Sequence, residues 1–121
     1  MNTMENRVTM DLDYVGGAKM GDWNCNEWKV ALHYNGNTMH TPFYTGVAIA
    51  EPRVEDVLHS LFSDSSAKDF DSFEDWAGAY GYDTNSRKAE QTYYECLNTA
   101  NMLLCLLGHD YDYFAEKLEN Y

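Results

Sequence analysis

The sequence predicts an α+β fold: a small antiparallel sheet of two or three strands packed with three or four helices. Three observations predict it. An Asn-Gly pair lies between two alternating runs, apolar positions recur at helical spacing through the second half, and strand and helix signals change over near residue 50. We read one domain over residues 1–121, strand-rich in 1–50 and helical in 51–121. It has no repeat, no Pro-rich linker and no low-complexity tract.

Residues 8–15 alternate Val8, Met10, Leu12 and Tyr14, which predicts a strand. Asn35-Gly36 is the preferred pair for a type I′ turn, because both central residues need positive φ. A two-residue loop there pairs Tyr34 with Asn37, Leu32 with Met39, Val30 with Thr41 and Trp28 with Phe43. Trp28, Val30, Leu32, Met39 and Phe43 then share one face. A one-residue slip would put His40 and Pro42 on it instead, so the pattern specifies the register. Pro42 cannot donate to a ladder and predicts an edge position.

Four helices follow. Pro52 opens the first, where its missing N–H costs nothing. Val54, Val57, Leu58, Leu61 and Phe62 then keep a buried stripe, and Asp64-Ser65-Ser66 ends it. Ser72-Phe73-Glu74-Asp75 resembles a capping box with Asp at its third helical position, and Gly81 stops that helix. The third helix is predicted over about 84–107, with Asp83 or Thr84 as its cap. Its stripe is Ala89, Tyr93, Cys96, Leu97, Ala100, Leu103, Leu104 and Leu107, and Gly108 ends it. Met102, Cys105 and Leu106 widen its apolar end. Asp110 caps a last helix with Tyr111, Phe114, Ala115 and Leu118 inward. The expected core includes Trp28, Val30, Leu32, Phe43, Leu58, Phe62, Trp76, Leu97, Ala100 and Leu104.

Charge narrows the function. Asp and Glu number 20 and Lys and Arg 8, a formal net charge of −12. Residues 1–50 hold five acids and three bases; residues 51–121 hold the other fifteen acids and five bases. The first part therefore carries −2 and the second −10. Such a surface repels phosphates, which argues against direct nucleic-acid binding and against docking on an anionic membrane. No apolar leader or membrane-length run is visible, and the three cysteines lack C-x-x-C spacing, so we expect a reduced, cytoplasmic protein.

Chemistry-bearing motifs are few. His33 and His40 share a hairpin face, but no Cys or carboxylate is tied to them by spacing, so solvated histidines are expected rather than a metal site. Cys96 and Cys105 fall on nearly opposite sides of one helix. Asp11 and Asp13 share a strand face, and Glu74-Asp75 and Asp110/Asp112 fall at helix starts, where the macrodipole alone favours acids. There is no G-x-S-x-G, P-loop, G-x-G-x-x-G or H-E-x-x-H. We therefore expect no enzyme and no cofactor. Ten tyrosines are more informative. Tyr82, Tyr94, Tyr113 and Tyr121 fall off the inward stripes, several beside acids, as in a protein interface or at core edges.

The stretch Ser72-Phe73-Glu74-Asp75-Trp76, then Tyr80-Gly81-Tyr82-Asp83-Thr84-Asn85-Ser86-Arg87-Lys88-Ala89-Glu90, with Tyr93 and Cys96, resembles a family of small proteins encoded by bacteriophages and prophages. The hairpin from Trp28-Lys29-Val30-Ala31-Leu32 to Thr41-Pro42-Phe43-Tyr44-Thr45-Gly46 is similar too, so the likeness covers about residues 27–108. No reaction attaches to that family, and no catalytic residue is carried over. Size and acidity together resemble anti-CRISPR and antirestriction inhibitors.

The resemblance implies a non-enzymatic inhibitor in the host cytoplasm, bound to a host protein with a basic nucleic-acid-binding surface, such as a CRISPR effector. Carboxylates would stand where phosphates sit, since Arg pairs with both by the same geometry. Two clusters are candidates: Asp69, Phe70, Asp71, Glu74 and Asp75 around the second helix start, and Asp110, Asp112, Glu116 and Glu119 on or beside the last helix. The first is favoured because its loop can project Phe70 with the acids. The alternatives are a phage accessory or assembly protein that self-associates, and a small enzyme or metal protein.

Overall fold

The computed structural model describes residues 8–47 and 51–119. Its class is α+β, with three antiparallel strands, four α-helices and two 3-10 turns among the described residues. The chain divides into two compact units, residues 1–58 and 59–121, a division that falls inside the first helix rather than at the compositional change near residue 50.

In the first unit, β1 (Thr9–Met20), β2 (Trp23–Tyr34) and β3 (Asn37–Gly46) form one sheet in the order β1-β2-β3. The hairpin register is the one expected: Tyr34 faces Asn37, Leu32 Met39, Val30 Thr41 and Trp28 Phe43. Asn35 and Gly36 both have positive φ, at 52° and 83°, as a type I′ turn requires. The tight loop makes Tyr34–Asn37 a hydrogen-bonded pair, so pairs alternate and Pro42, opposite Lys29, falls where its nitrogen points away from β2. The edge strand thus tolerates Pro42 without losing a ladder bond.

The expected strand over 8–15 is too short. β1 runs to Met20 because Gly21-Asp22 closes a second two-residue hairpin, with positive φ at Gly21 alone. That is the type II′ preference for Gly at the first central position. A bulge between Tyr14 and Gly16 shifts the register and moves Val15 out of the ladder. Trp28, Val30, Leu32, Tyr34 and Met39 are buried, whereas Phe43 is half-buried. The buried Trp28 indole donates to Thr45 Oγ1 at 2.9 Å, so its N–H is not stranded.

Helix α1 (Val54–Ser65) buries Val57, Leu58 and Leu61. Phe62, expected in the core, is half-buried against the Tyr111 ring at 5.0 Å. In the second unit a 3-10 turn (Ser66–Asp69) leads to α2 (Phe73–Tyr80), α3 (Arg87–Leu107), a second 3-10 turn (Gly108–Asp110) and α4 (Tyr111–Glu119). Ala67, Phe73, Trp76, Ala77, Ala89 and Tyr93 pack as one core cluster, with Phe70, Cys96 and Leu97 against it. Ser65, fully buried, shares a 2.8 Å hydrogen bond with the Tyr111 hydroxyl and donates to the Phe62 carbonyl.

The caps explain the helix limits. Ser72 Oγ accepts the Asp75 N–H, the first half of a capping box. Gly81 ends α2 in the left-handed region, and the Tyr82 N–H reaches back to the Ala77 carbonyl. Helix α3 starts at Arg87, later than the expected 84, and its cap is Ser86, whose hydroxyl accepts the Ala89 N–H at 3.1 Å. Asp83 instead accepts the Asn85 N–H, and its carbonyl takes the Ser86 N–H, closing a turn ahead of the helix. The α3 stripe also rotates: Leu106 is buried, while Leu104 is 38% exposed and Cys105 is exposed. Leu97 is half-buried. Asp110 ends the second 3-10 turn and directly precedes α4.

Cys96 is half-buried and Cys105 exposed, as their spacing requires. Burial, aided by the charges of Asp64 and Glu95, pushes the Cys96 thiol up to about 11. Thiolate is the reactive form. Iodoacetamide at pH 8 should therefore label Cys105 in the folded protein and leave Cys25 and Cys96 until unfolding. Mass spectrometry of the peptides checks this, and early labelling of Cys96 would contradict it.

Candidate functional site

The first acidic cluster is built by local sequence. The 3-10 turn ends at Asp69, Phe70 leaves it in an extended conformation, and Ser72 caps α2. Asp69, Asp71, Glu74 and Asp75 are all exposed. No ion pair among the described residues involves Asp71, Glu74 or Asp75; Asp69 accepts from Lys68 Nζ at 3.1 Å.

Phe70 does not project into solvent, as a protruding anchor would. It is half-buried, with its ring 5.9 Å from Tyr80, edge to face. Tyr80 touches Trp76 at 5.6 Å, and Tyr82 stacks on Trp76 at 5.0 Å and 10°. Tyr80 is 54% exposed and Tyr82 48%. Tyr80 continues the helical spacing of Phe73, Trp76 and Ala77, which predicts it inward, yet it sits in the last turn and its hydroxyl meets Ser66 Oγ at 3.2 Å. The signal available in the sequence was the adjacent Gly81, which ends the helix before Tyr80 can be covered. The acidic loop and the Tyr-rich surface, alternatives in the sequence, are therefore contiguous here through Phe70.

The second cluster lies across α4. Asp112 and Glu116 are exposed one helical turn apart, and Asp110 is half-buried. Glu119 closes α4, but its side chain lies outside the described residues, as does Tyr121. The clusters meet at Lys68, which sequence spacing did not reveal. Its ammonium bonds Asp69, lies 5.1 Å from the Tyr111 ring centroid and feels Asp112. The Asp69 hydrogen bond is the largest cause holding the Lys68 ammonium protonated above its ordinary range. On α4, Lys117 covers Tyr113 at 5.7 Å.

Asp64 lies amid enough protein that desolvation raises its carboxyl above the usual range. A raised carboxyl stabilises the fold at pH below the ordinary carboxylate value, and that contribution is lost as pH rises through the native value. Asp64→Asn should then raise the melting temperature at pH 7 relative to the parent, with the gain shrinking at pH 3. A variant less stable than the parent at pH 7 would refute this.

The sheet carries a different constellation. The face opposite Val30 and Leu32 has an open concavity of about 570 Å³ lined by Asp11, Asp13, Glu27, Lys29, His33 and His40, among others. His33 Nε2 lies 2.8 Å from Asp11 Oδ2, and Nδ1 lies 3.0 Å from Thr38 Oγ1. With Nε2–H donating to Asp11, Nδ1 accepts from the Thr38 hydroxyl, a carboxylate–imidazole–hydroxyl chain of the kind that activates nucleophiles. The Asp11 side chain is 80% exposed, however, so water screens it and leaves the imidazole weakly held. No group of three His, Cys, Asp or Glu among the described residues is placed to hold a metal ion. No helix among them is long and apolar enough to cross a membrane.

No family model, curated protein or solved structure matches this chain.

Proposed function

We propose that this protein is a non-enzymatic, anti-CRISPR-like inhibitor that acts by binding a host protein through the acid-and-aromatic surface of residues 69–83. The partner is a protein with a basic nucleic-acid-binding surface, and a CRISPR effector fits that description. The observation that carries the reading is the continuity of exposed acids with exposed Tyr80 and Tyr82 on a packed base of Phe70 and Trp76. Acids alone are what a solvated face looks like. Aromatic rings held open beside them add buried area at low entropic cost, as binding surfaces do. The carboxylates would occupy phosphate positions in a basic channel, with Asp110, Asp112 and Glu116 extending the row past Lys68.

The test is capture of the partner from host lysate on immobilised protein, followed by competition. Nucleic acid that the captured partner normally binds should displace it, and association should slow as salt rises. A captured partner that holds this protein and its nucleic acid together, with no salt dependence, would refute phosphate mimicry. A homo-oligomeric assembly role would show instead as self-association with no host partner.

A further inference from the structure

We infer that the Tyr82 ring, which shares its Trp76 base with Tyr80, is an arginine-receiving subsite: a partner guanidinium lies on its exposed face while flanking carboxylates take the N–H groups. The inference rests on the docking reading above and names the side chain recognised. Tyr82 stacks nearly parallel on the buried Trp76, so its outer face is open and its orientation is set. Tyr80 is held by Phe70, Trp76 and the Ser66 hydroxyl. Asp83 follows Tyr82 in the chain and spends only its Oδ1 on the Asn85 N–H, and Asp71 follows the ring that braces Tyr80; both are exposed and without an ion pair among the described residues.

The same unit shows what its tyrosines accept. Lys68 lies over Tyr111 and Lys117 over Tyr113. Tyr80 and Tyr82 have no such cation among the described residues, although their surroundings are acidic. A cation placed on these rings would therefore come from a partner. Arginine fits better than lysine, because a planar guanidinium stacks on a ring and still points its fork at a carboxylate, whereas an ammonium is a compact, strongly hydrated point charge.

The experiment uses the full chain and two peptides of equal length and charge, one with Arg and one with Lys at the same positions, Gly and Ser elsewhere. Calorimetric titration at low salt should give roughly three- to thirtyfold tighter binding for the Arg peptide. Tyr82→Leu keeps an apolar cover over Trp76 and should erase the preference while leaving salt-dependent binding of both peptides. Tyr82→Phe should restore it. Equal affinity for the two peptides overturns the inference but leaves acidic docking standing, as does an Arg preference that survives Tyr82→Leu. Binding of neither peptide, with host capture intact, also overturns it. Host capture that fails while the Arg preference holds and depends on Tyr82 overturns the inhibitor reading alone.

Discussion

Trp76→Ala is expected to destabilise residues 59–121 by about 3–5 kcal/mol, the range for emptying a buried large aromatic site. Trp76 is 5% exposed, and its indole meets the rings of Phe73, Tyr80, Tyr82 and Tyr93 at centroid distances of 5.0–6.2 Å. Three of these neighbours, Phe73, Tyr80 and Tyr93, are fixed by further contacts and are not free to refill that space. Phe73 packs on Tyr93, and Tyr80 packs on Phe70. Trp76→Phe keeps most of the contacts and should cost clearly less. Urea unfolding of the full chain, followed by circular dichroism and by amide exchange over Ala89–Ala100, measures both. A Trp76→Ala loss below about 1 kcal/mol would mean that this cluster does not carry the unit's core.

The second large effect is on binding rather than folding. Replacing Asp69, Asp71, Glu74 and Asp75 together by Asn or Gln should weaken binding to the captured partner by roughly 1–4 kcal/mol, if one or two of them form desolvated pairs there. Stability should change little, and two effects of opposite sign decide this. Glu74 and Asp75 each lose a favourable place in the first turn of α2, about 0.3–1 kcal/mol apiece when exposed. Removing four charges from a chain at −12 relieves self-repulsion in return. Ser72 still caps the helix. Affinity of the folded variant at two salt concentrations gives the answer. Unchanged affinity without salt dependence would remove the acids from the contact and leave the aromatic rings as its remaining carriers.

Much of what short-range backbone chemistry and period set was legible in the residues alone, although the Gly21-Asp22 turn that extends β1 was not read. Asn35-Gly36 imposes one turn, the turn imposes one register, and the register decides which residues of β2 and β3 share a face. Ser72 and Gly81 bound α2 because a hydroxyl and a missing Cβ act on neighbouring residues only. Most acids of the second half were readable as exposed because they fall off an apolar stripe, although Asp56 and Asp110 are half-buried. Several outcomes needed the tertiary structure, because each is a competition among neighbours that periodicity does not weigh. One miss was local instead: Ser86 rather than Asp83 caps α3, since Asp83 is held by its own turn. Leu106 displaces Leu104 from the interior, since the apolar end of α3 is wide enough to offer two faces and packing selects one. Tyr80 opens outward at a helix end, and Phe70 turns in to brace it. Lys68 joins two acidic clusters separated by more than thirty residues of chain, a meeting that only the docking of α4 beside the 3-10 turn at Ser66–Asp69 brings about.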